Sequence, residues 1–245
     1  MISFFKSKPI LKDLIPTGFV DIHSHLLFGI DDGAKTPDDT KFIIESMVNF
    51  GFGKAITTPH TTPYIWDNTK EMILEKELEV KRVLPQETLA LKLRVASEYL
   101  MDDSFSKRIK SERLLTLQDN YVLVEMSYIN PPMQLFDILF ELKSAGYEIV
   151  LAHPERYNFY HNNLDVFRKL KRAGCLFQLN LLSVTGYYGS KIAETAAYLL
   201  NSGFIDFVGS DIHHVKHIKG FDSKLTIKDK VPLVEAFAKN ALFDI

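Results

Sequence analysis

His23 and His25 stand one residue apart in FVDIHSHLLFGIDDG, residues 19–33, and Asp31, Asp32 and Gly33 close the loop behind them. Alternate side chains of an extended chain share a face, so both imidazoles point the same way. Imidazole nitrogens completed by carboxylate oxygens suit zinc, iron or manganese. A lone His-x-His pair is weak evidence for a metal, and it gains weight from ligand-type residues further along the chain. His60, Glu98, Glu125, His153, Asn180, and Asp211 with His213 each stand at the end of a short apolar run. Singly they have plain readings, as a hydrogen-bonded structural histidine or a solvated glutamate. Together they supply more ligands than one tetrahedral ion takes. A cluster of two or three ions bridged by a carboxylate is the natural use. Closely spaced ions clamp the attacking and leaving oxygens of an in-line phosphoryl displacement.

These residues need strands to carry them. Phe19, Val20 and Ile22 are β-formers in a run short enough for a buried strand. The later runs are KAITTPH, closing at Pro59-His60, LKLRVASE at Glu98, YVLVEM near Glu125, EIVLAHPER at His153, CLFQLN at Asn180 and FIDFVGSDIHH at Asp211. Between them lie helical patterns. Thr36 is a plausible cap with Pro37, Asp38 and Asp39 in the first turn, and Gly51 is the stop. Further helices are predicted over 68–84, from Pro131-Pro132 to a stop at Gly146, over 163–173, 190–201 and 232–243, with a short one before Tyr121. A loop with several lysines precedes the last. Strand and helix thus alternate seven times, roughly thirty residues apart, which predicts a parallel sheet with right-handed crossovers. Seven units suit a closed or distorted barrel of the (β/α)8 kind better than an open sheet. In such a barrel the strand ends converge on one rim, where active sites lie.

Composition narrows the classes. Hydrophobic residues make up 46% and charged residues 24% of the 245, so a sizeable core is possible and disorder is not expected. A net charge of −2 argues against a nucleic-acid partner held by bulk charge. No segment approaches the roughly 20 apolar residues that span a bilayer. The single cysteine, Cys175, allows no internal disulfide, which fits a reducing cytoplasm. Residues 1–18 read as an N-terminal extension, a floppy tail punctuated by Pro9, Pro16 and Gly18. No composition shift marks a second domain.

The segments VDIHSHLLFGIDDGA (20–34), Thr58-Pro59-His60, Glu98, HPER (153–156) and SDIH (210–213) resemble the PHP (polymerase and histidinol phosphatase) superfamily. Within it they are most similar to the bacterial manganese-dependent tyrosine phosphatases of capsule and exopolysaccharide loci. The resemblance implies an α/β fold with one domain over 19–245, a distorted (β/α)7 TIM-like barrel with the metals at its C-terminal rim. It also implies two to three divalent ions, Mn²⁺ first, with Fe, Zn or Mg tolerated. One ion would take His23, His25, Glu98 and Asp211. Glu98 would bridge to a second held by Glu125 and His153, and a third would take Asp32, His60 and His213. Asp31 is the alternative to Asp32. Arg156 and His213 are the implied catalytic residues, with Arg156 gripping phosphoryl oxygens in its planar fork. The alternative for Arg156 is a salt bridge to a neighbour such as Glu155. The implied reaction is hydrolysis of phosphotyrosine in protein by a metal-activated hydroxide. The implied substrate is the tail of a tyrosine kinase of polysaccharide export.

One departure concerns a second arginine, which the family often carries after the Asp-x-His motif. Here the segment is HHVKHIKG, so Lys216 or Lys219 would bind substrate with a point charge instead of a fork. His214 and His217 read as solvated loop histidines, with general acid as the alternative. Tyr64, Trp66 and Tyr128 could stack on a substrate ring or merely pack their loops. A cysteine phosphatase needs arginine six residues after its cysteine, and Leu181 stands there instead. No Gly-rich phosphate loop occurs. The rivals are a small-molecule phosphatase such as a histidinol-phosphatase, a phosphodiesterase or exonuclease, and a non-catalytic metal-stabilised binding module.

Overall fold

A computed structural model describes residues 8–244. Its strands form two parallel sheets. The first, in order β1-β2-β4, comprises β1 (Phe19–Asp21), β2 (Phe52–Thr57) and β4 (Arg94–Val95). The second runs β3-β5-β6-β7-β8-β9, from β3 (His60–Thr61) through β5 (Glu98–Leu100), β6 (Tyr121–Glu125), β7 (Glu148–Ala152) and β8 (Cys175–Asn180) to β9 (Ile205–Gly209). The mixed α/β class with parallel strands is as expected, but the strands lie in two sheets, not in one closed barrel.

Two of the seven expected strands are divided. KAITTPH breaks into β2 and β3 at Thr58-Pro59, and LKLRVASE breaks into β4 and β5 at Ala96-Ser97. Proline has no N–H to give the ladder. Its carbonyl still accepts from Glu98 N–H at 3.1 Å, so the chains stay in contact across the break. On the other side the ends of β1 and β9 are joined by a parallel bridge between Ser24 and Ile212. There the His25 N–H donates to Ile212 O at 2.9 Å and the Asp211 N–H to His23 O at 2.7 Å.

Period-two alternation divides the strand side chains between two cores. Val122, Val124, Ile149 and Leu151 pack in the cluster that includes the helices. Val20, Ile22, Ile56, Leu123, Val150 and Phe207 meet in a second, smaller cluster drawn from both sheets. The helices are α1 (Pro37–Phe50), α2 (Lys70–Val83), α3 (Pro85–Ala90), α4 (Phe105–Ser111), α5 (Leu135–Ser144), α6 (Asp165–Arg172), α7 (Ser190–Asn201), α8 (Val215–Gly220) and α9 (Val231–Lys239). Thr36 and Asp39 cap α1 reciprocally, and Gly51 ends it at φ +109°.

The stretch read as a lysine loop contains α8. The floppy tail is also corrected over residues 8–18. Leu11 is fully buried and Ile10 bridges Lys224 antiparallel. Leu11 N–H donates to Ser223 O at 3.0 Å, and Leu225 N–H to Pro9 O at 3.0 Å. The rest of that expectation, residues 1–7, lies outside the described residues. No helix among the described residues is long and apolar enough to cross a membrane.

Candidate metal centre

The strand ends deliver their polar residues to one place. His23 and His25 follow β1, His60 opens β3, Glu98 opens β5, Glu125 closes β6, His153 follows β7, and Asp211 and His213 lie just beyond β9. Parallel register sets His60 beside Glu98 and Leu100 beside Glu125. Glu98 is the hub. Its Oε2 lies 3.1 Å from His23 Nε2, 3.2 Å from His60 Nδ1 and 3.5 Å from His25 Nε2. Its Oε1 lies 3.1 Å from His153 Nε2. Asp211 Oδ1 is 3.3 Å from His23 Nε2 and 3.4 Å from both His25 Nε2 and His213 Nδ1. Asp32 Oδ1 reaches His60 Nε2 at 3.5 Å and His213 Nε2 at 3.4 Å.

All nine expected ligand residues fall into overlapping groups whose ligand atoms lie within 4.8 Å of one another. The groups are His25, Asp32, His60 and His213, then His23, Glu98 and His153, then His23, His25 and Asp211, and last His60, Glu98 and Glu125. The division differs from the implied one at three histidines. His25 groups with Asp32, His60 and His213 as well as with His23 and Asp211, His60 faces Glu98 and Glu125 as well as Asp32, and His153 groups with His23 and Glu98 instead of with Glu125.

The donor set fits divalent cations. Nε2 of His23 and of His25, Nδ1 of His60 and Oε2 of Glu98 are buried without a hydrogen bond. Such atoms are costly unless something satisfies them, and a cation would. Burial works against a charged His60, but Glu98 and Glu125 outweigh it and raise the imidazole to about 9. Burial likewise opposes ionised Glu98 and Asp211, and His23 with its neighbours outweighs it, holding both carboxyls well below their usual range.

A second layer of residues aims the first. Asp31 Oδ2 accepts from His25 Nδ1 at 2.7 Å and from the His60 N–H at 3.1 Å. This gives the two neighbouring aspartates different geometry, since Asp31 is buried and orients His25 while Asp32 reaches the histidine edges. Gln178 Oε1 accepts from His23 Nδ1 at 2.7 Å. Contacts of this kind fix the tautomer and ring angle of a ligand. Two glycines make room. A Cβ on Gly33 would lie 2.3 Å from His25 O, and one on Gly209 would lie 2.7 Å from His23 Cβ. His153 and Asp211 sit at φ +35° and +50°, left-handed conformations costing about 1–3 kcal/mol each. The surrounding ladder and hydrogen bonds hold them there.

Arg156 lies at the edge of this field. Its Nη1 donates to Asp211 Oδ2 at 2.6 Å, and its guanidinium lies 4.9 Å from the Tyr128 ring and 4.3 Å from the Tyr188 ring. The alternative partner Glu155 is engaged elsewhere. It accepts from Asn180 N–H at 3.0 Å and from the Ser183 hydroxyl at 2.7 Å, and burial pushes its carboxyl up to about 7.

Lys216 lines a cavity of about 310 Å³ beside Asp32 and His213, whereas exposed Lys219 does not line it. His217 is not a solvated loop histidine. It is buried on α8, its Nδ1 accepts from the His213 N–H at 3.1 Å, and burial pushes its pKa down to about 3. His214 is exposed. Trp66 stacks on His60 at 4.9 Å and Tyr128 on His153 at 5.6 Å, while Tyr64 stands 98% exposed. Burial takes the Cys175 thiol up to about 12, so it is no nucleophile.

Sequence reasoning passed over Gln178, Tyr188 and the orienting work of Asp31. Gln178 carried a signal, an amide in the interior of the apolar run CLFQLN, which a buried strand tolerates only with a partner.

Comparison with known proteins places this geometry. The tyrosine-protein phosphatase YwqE of Bacillus subtilis (strain 168) is 28% identical over 198 residues, covering 80% of this chain and 78% of its own length. The tyrosine-protein phosphatase CpsB of Streptococcus pneumoniae is 27% identical over 202 residues, with 80% and 83% covered. Among solved structures, one from work on YwqE and CpsB as metal-dependent tyrosine phosphatases superposes with a TM-score of 0.75 at 27% identity, covering 82% of this chain and 84% of that one. The family model for capsular polysaccharide synthesis, CpsB/CapC, matches residues 19–220. That span takes in every strand and all nine expected ligands, and the chain belongs to the CpsB/CapC family.

Proposed function

We propose that this protein is a metal-dependent protein-tyrosine phosphatase, a phosphoric monoester hydrolase acting on phosphotyrosine in polypeptides. The observation that carries the reading is the continuous field of nine histidine and carboxylate ligands with Arg156 on its edge. The relatives YwqE and CpsB are tyrosine-protein phosphatases. Divalent ions held there supply Lewis acidity toward phosphoryl oxygens and lower the pKa of water.

The chain's own residues do the rest. Glu98 turns one oxygen to His23, His25 and His60 and the other to His153, the placement a bridging carboxylate needs. Asp211 divides its oxygens between the histidines and Arg156, so ligand and arginine position one another. Arg156, braced between two tyrosine rings, offers its remaining N–H groups to phosphoryl oxygens as charge develops. His213 faces the same space as the second catalytic residue, and Lys216 extends the positive side of the mouth. The Asp32 side chain is 45% exposed, so the field opens to solvent on that side, as a protein substrate requires.

In finer detail, the field would hold two to three divalent ions, Mn²⁺ first by the resemblance to manganese-dependent phosphatases, since a mixed imidazole and carboxylate set without thiolate also tolerates Fe, Zn and Mg. The two sheets are the parts of one distorted (β/α)7 barrel, supported by the shared inner cluster and the Ser24–Ile212 bridge. Residues 19–245 are the catalytic domain and 1–18 an extension. The substrate is a cytoplasmic tyrosine kinase of polysaccharide export. Phosphate release from a tyrosine-phosphorylated peptide, with Mn²⁺ or with chelator and beside a serine-phosphorylated control, tests the reading. Chelator-sensitive release from the tyrosine peptide alone is expected. Release from histidinol phosphate but not from the peptide would overturn it.

A further inference from the structure

Strands β3, β5 and β6 are neighbours in the second sheet and carry His60, Glu98 and Glu125. The segments that leave their ends frame a cleft of about 430 Å³ lined by Tyr64, Asp102, Asp103, Ser127, Asn130 and Met133. Its floor abuts the ligand field. Ser127 is two residues beyond Glu125, and the Met101 N–H donates to Glu125 O at 2.8 Å.

One wall is a small hairpin closed by the Thr62–Trp66 bridge. Trp66 lies flat on His60, and Tyr64, at φ +67°, is turned fully into solvent. A tyrosine in the left-handed region with its ring in water gains nothing inside the molecule. The lining residue Met133 is 93% exposed, and Ile129, next to the lining residue Asn130 in the chain, is 84% exposed. From Met133 the strip continues at helical spacing as Phe136 and Phe140, the latter 72% exposed. Large apolar side chains gathered this closely in water mark an interaction surface. Asp102 and exposed Asp103 make the mouth negative. A phosphotyrosine seated on the ligand field must lead its flanking chain out over the rim, and this cleft adjoins that exit.

We propose that the cleft and the α5 strip bind the polypeptide beside the phosphorylated tyrosine, selecting an apolar residue together with a lysine or arginine. The proposal rests on the tyrosine phosphatase reading. The strip accepts the aliphatic or aromatic side chain, and the two aspartates complement the cation.

The test is steady-state kinetics of the full Mn²⁺-loaded chain on three substrates. These are a phosphotyrosine peptide flanked by leucine and arginine, one flanked by alanine and glutamate, and p-nitrophenyl phosphate, which is too small to reach the cleft. In the double variant Met133→Ser/Phe140→Ser, kcat/KM for the leucine-arginine peptide should fall about tenfold through KM, the scale of a lost apolar contact. Asp103→Lys should reverse the preference between the peptides. Turnover of p-nitrophenyl phosphate should hold in both variants. Equal loss on the peptides and the small substrate would overturn the proposal, as would unchanged peptide kinetics. A dimer that the double variant abolishes without changing peptide kinetics would overturn it too, assigning the strip to self-association. If the unaltered enzyme turns over p-nitrophenyl phosphate and neither peptide, the protein-tyrosine phosphatase reading fails first and takes this proposal with it.

Discussion

Glu98 shows why single residues carry the chemistry here. Two oxygens on one fully buried carboxylate meet four imidazoles, which no solvated glutamate would do. Its position at a strand end was legible in the sequence, because ligand-type residues closed one apolar run after another. Gln178 showed only as a polar residue inside an apolar run, because a residue that orients a ligand has no spacing rule of its own. It supplies the first prediction. Gln178→Leu keeps the volume of the side chain and removes the acceptor for His23 Nδ1. The Mn²⁺ concentration for half-saturation should rise about 10- to 100-fold, read by competition with a metal-binding dye. Unchanged affinity would mean that His23 keeps its angle without this contact.

At the scale of elements, the helix starts and stops were the most readable parts of the chain. Thr36, Pro37 and Gly51 bound α1 as their chemistry predicts. The strands were harder, since Pro59 signals a break in the ladder but nothing local shows that the chain passes from one sheet to the other there. The α8 helix was missed because HHVKHIKG has neither apolar periodicity nor a side-chain cap. Capping sets a second prediction. Thr36→Ala removes the acceptor of the Asp39 N–H and should cost about 1 kcal/mol of stability, read by urea denaturation. Turnover should be retained, because the cap stands on the outer turn. A loss of metal along with the cap would show instead that α1 holds the Asp31–Asp32 loop in place.

For the whole molecule, the ligand field is a concentration of charge that the fold must hold with or without ions. In metal-free protein His60 has a folded pKa of about 9, above its unfolded value near 6.5. A raised histidine contributes stability that is fully present below its unfolded pKa and lost as pH rises through the folded one. The chelated protein should therefore melt at a lower temperature at pH 9.5 than at pH 6.5, with the decline between about 6.5 and 9. Ions compete with the same protons, so Mn²⁺ should stabilise most at the alkaline end. A chelated melting temperature flat across that window would sink this account. The two-sheet arrangement was the least legible feature, because it depends on how distant strands meet and not on any local pattern.

The joint between β1 and β9 has a consequence for how the protein is made. Asp21 accepts from Ser210 across 189 residues of chain, and the ligands on either side of that joint come from the two ends of the sequence. Contacts of such separation form late and slowly. During synthesis His23 and His25 leave the ribosome first and must wait for Asp211 and His213, with nearly the whole polypeptide still to emerge. A nascent chain therefore carries an incomplete ligand field until Asp211 and His213 have emerged. The full ligand set closes only when the last strand meets the first, and a chain interrupted before residue 211 cannot complete it.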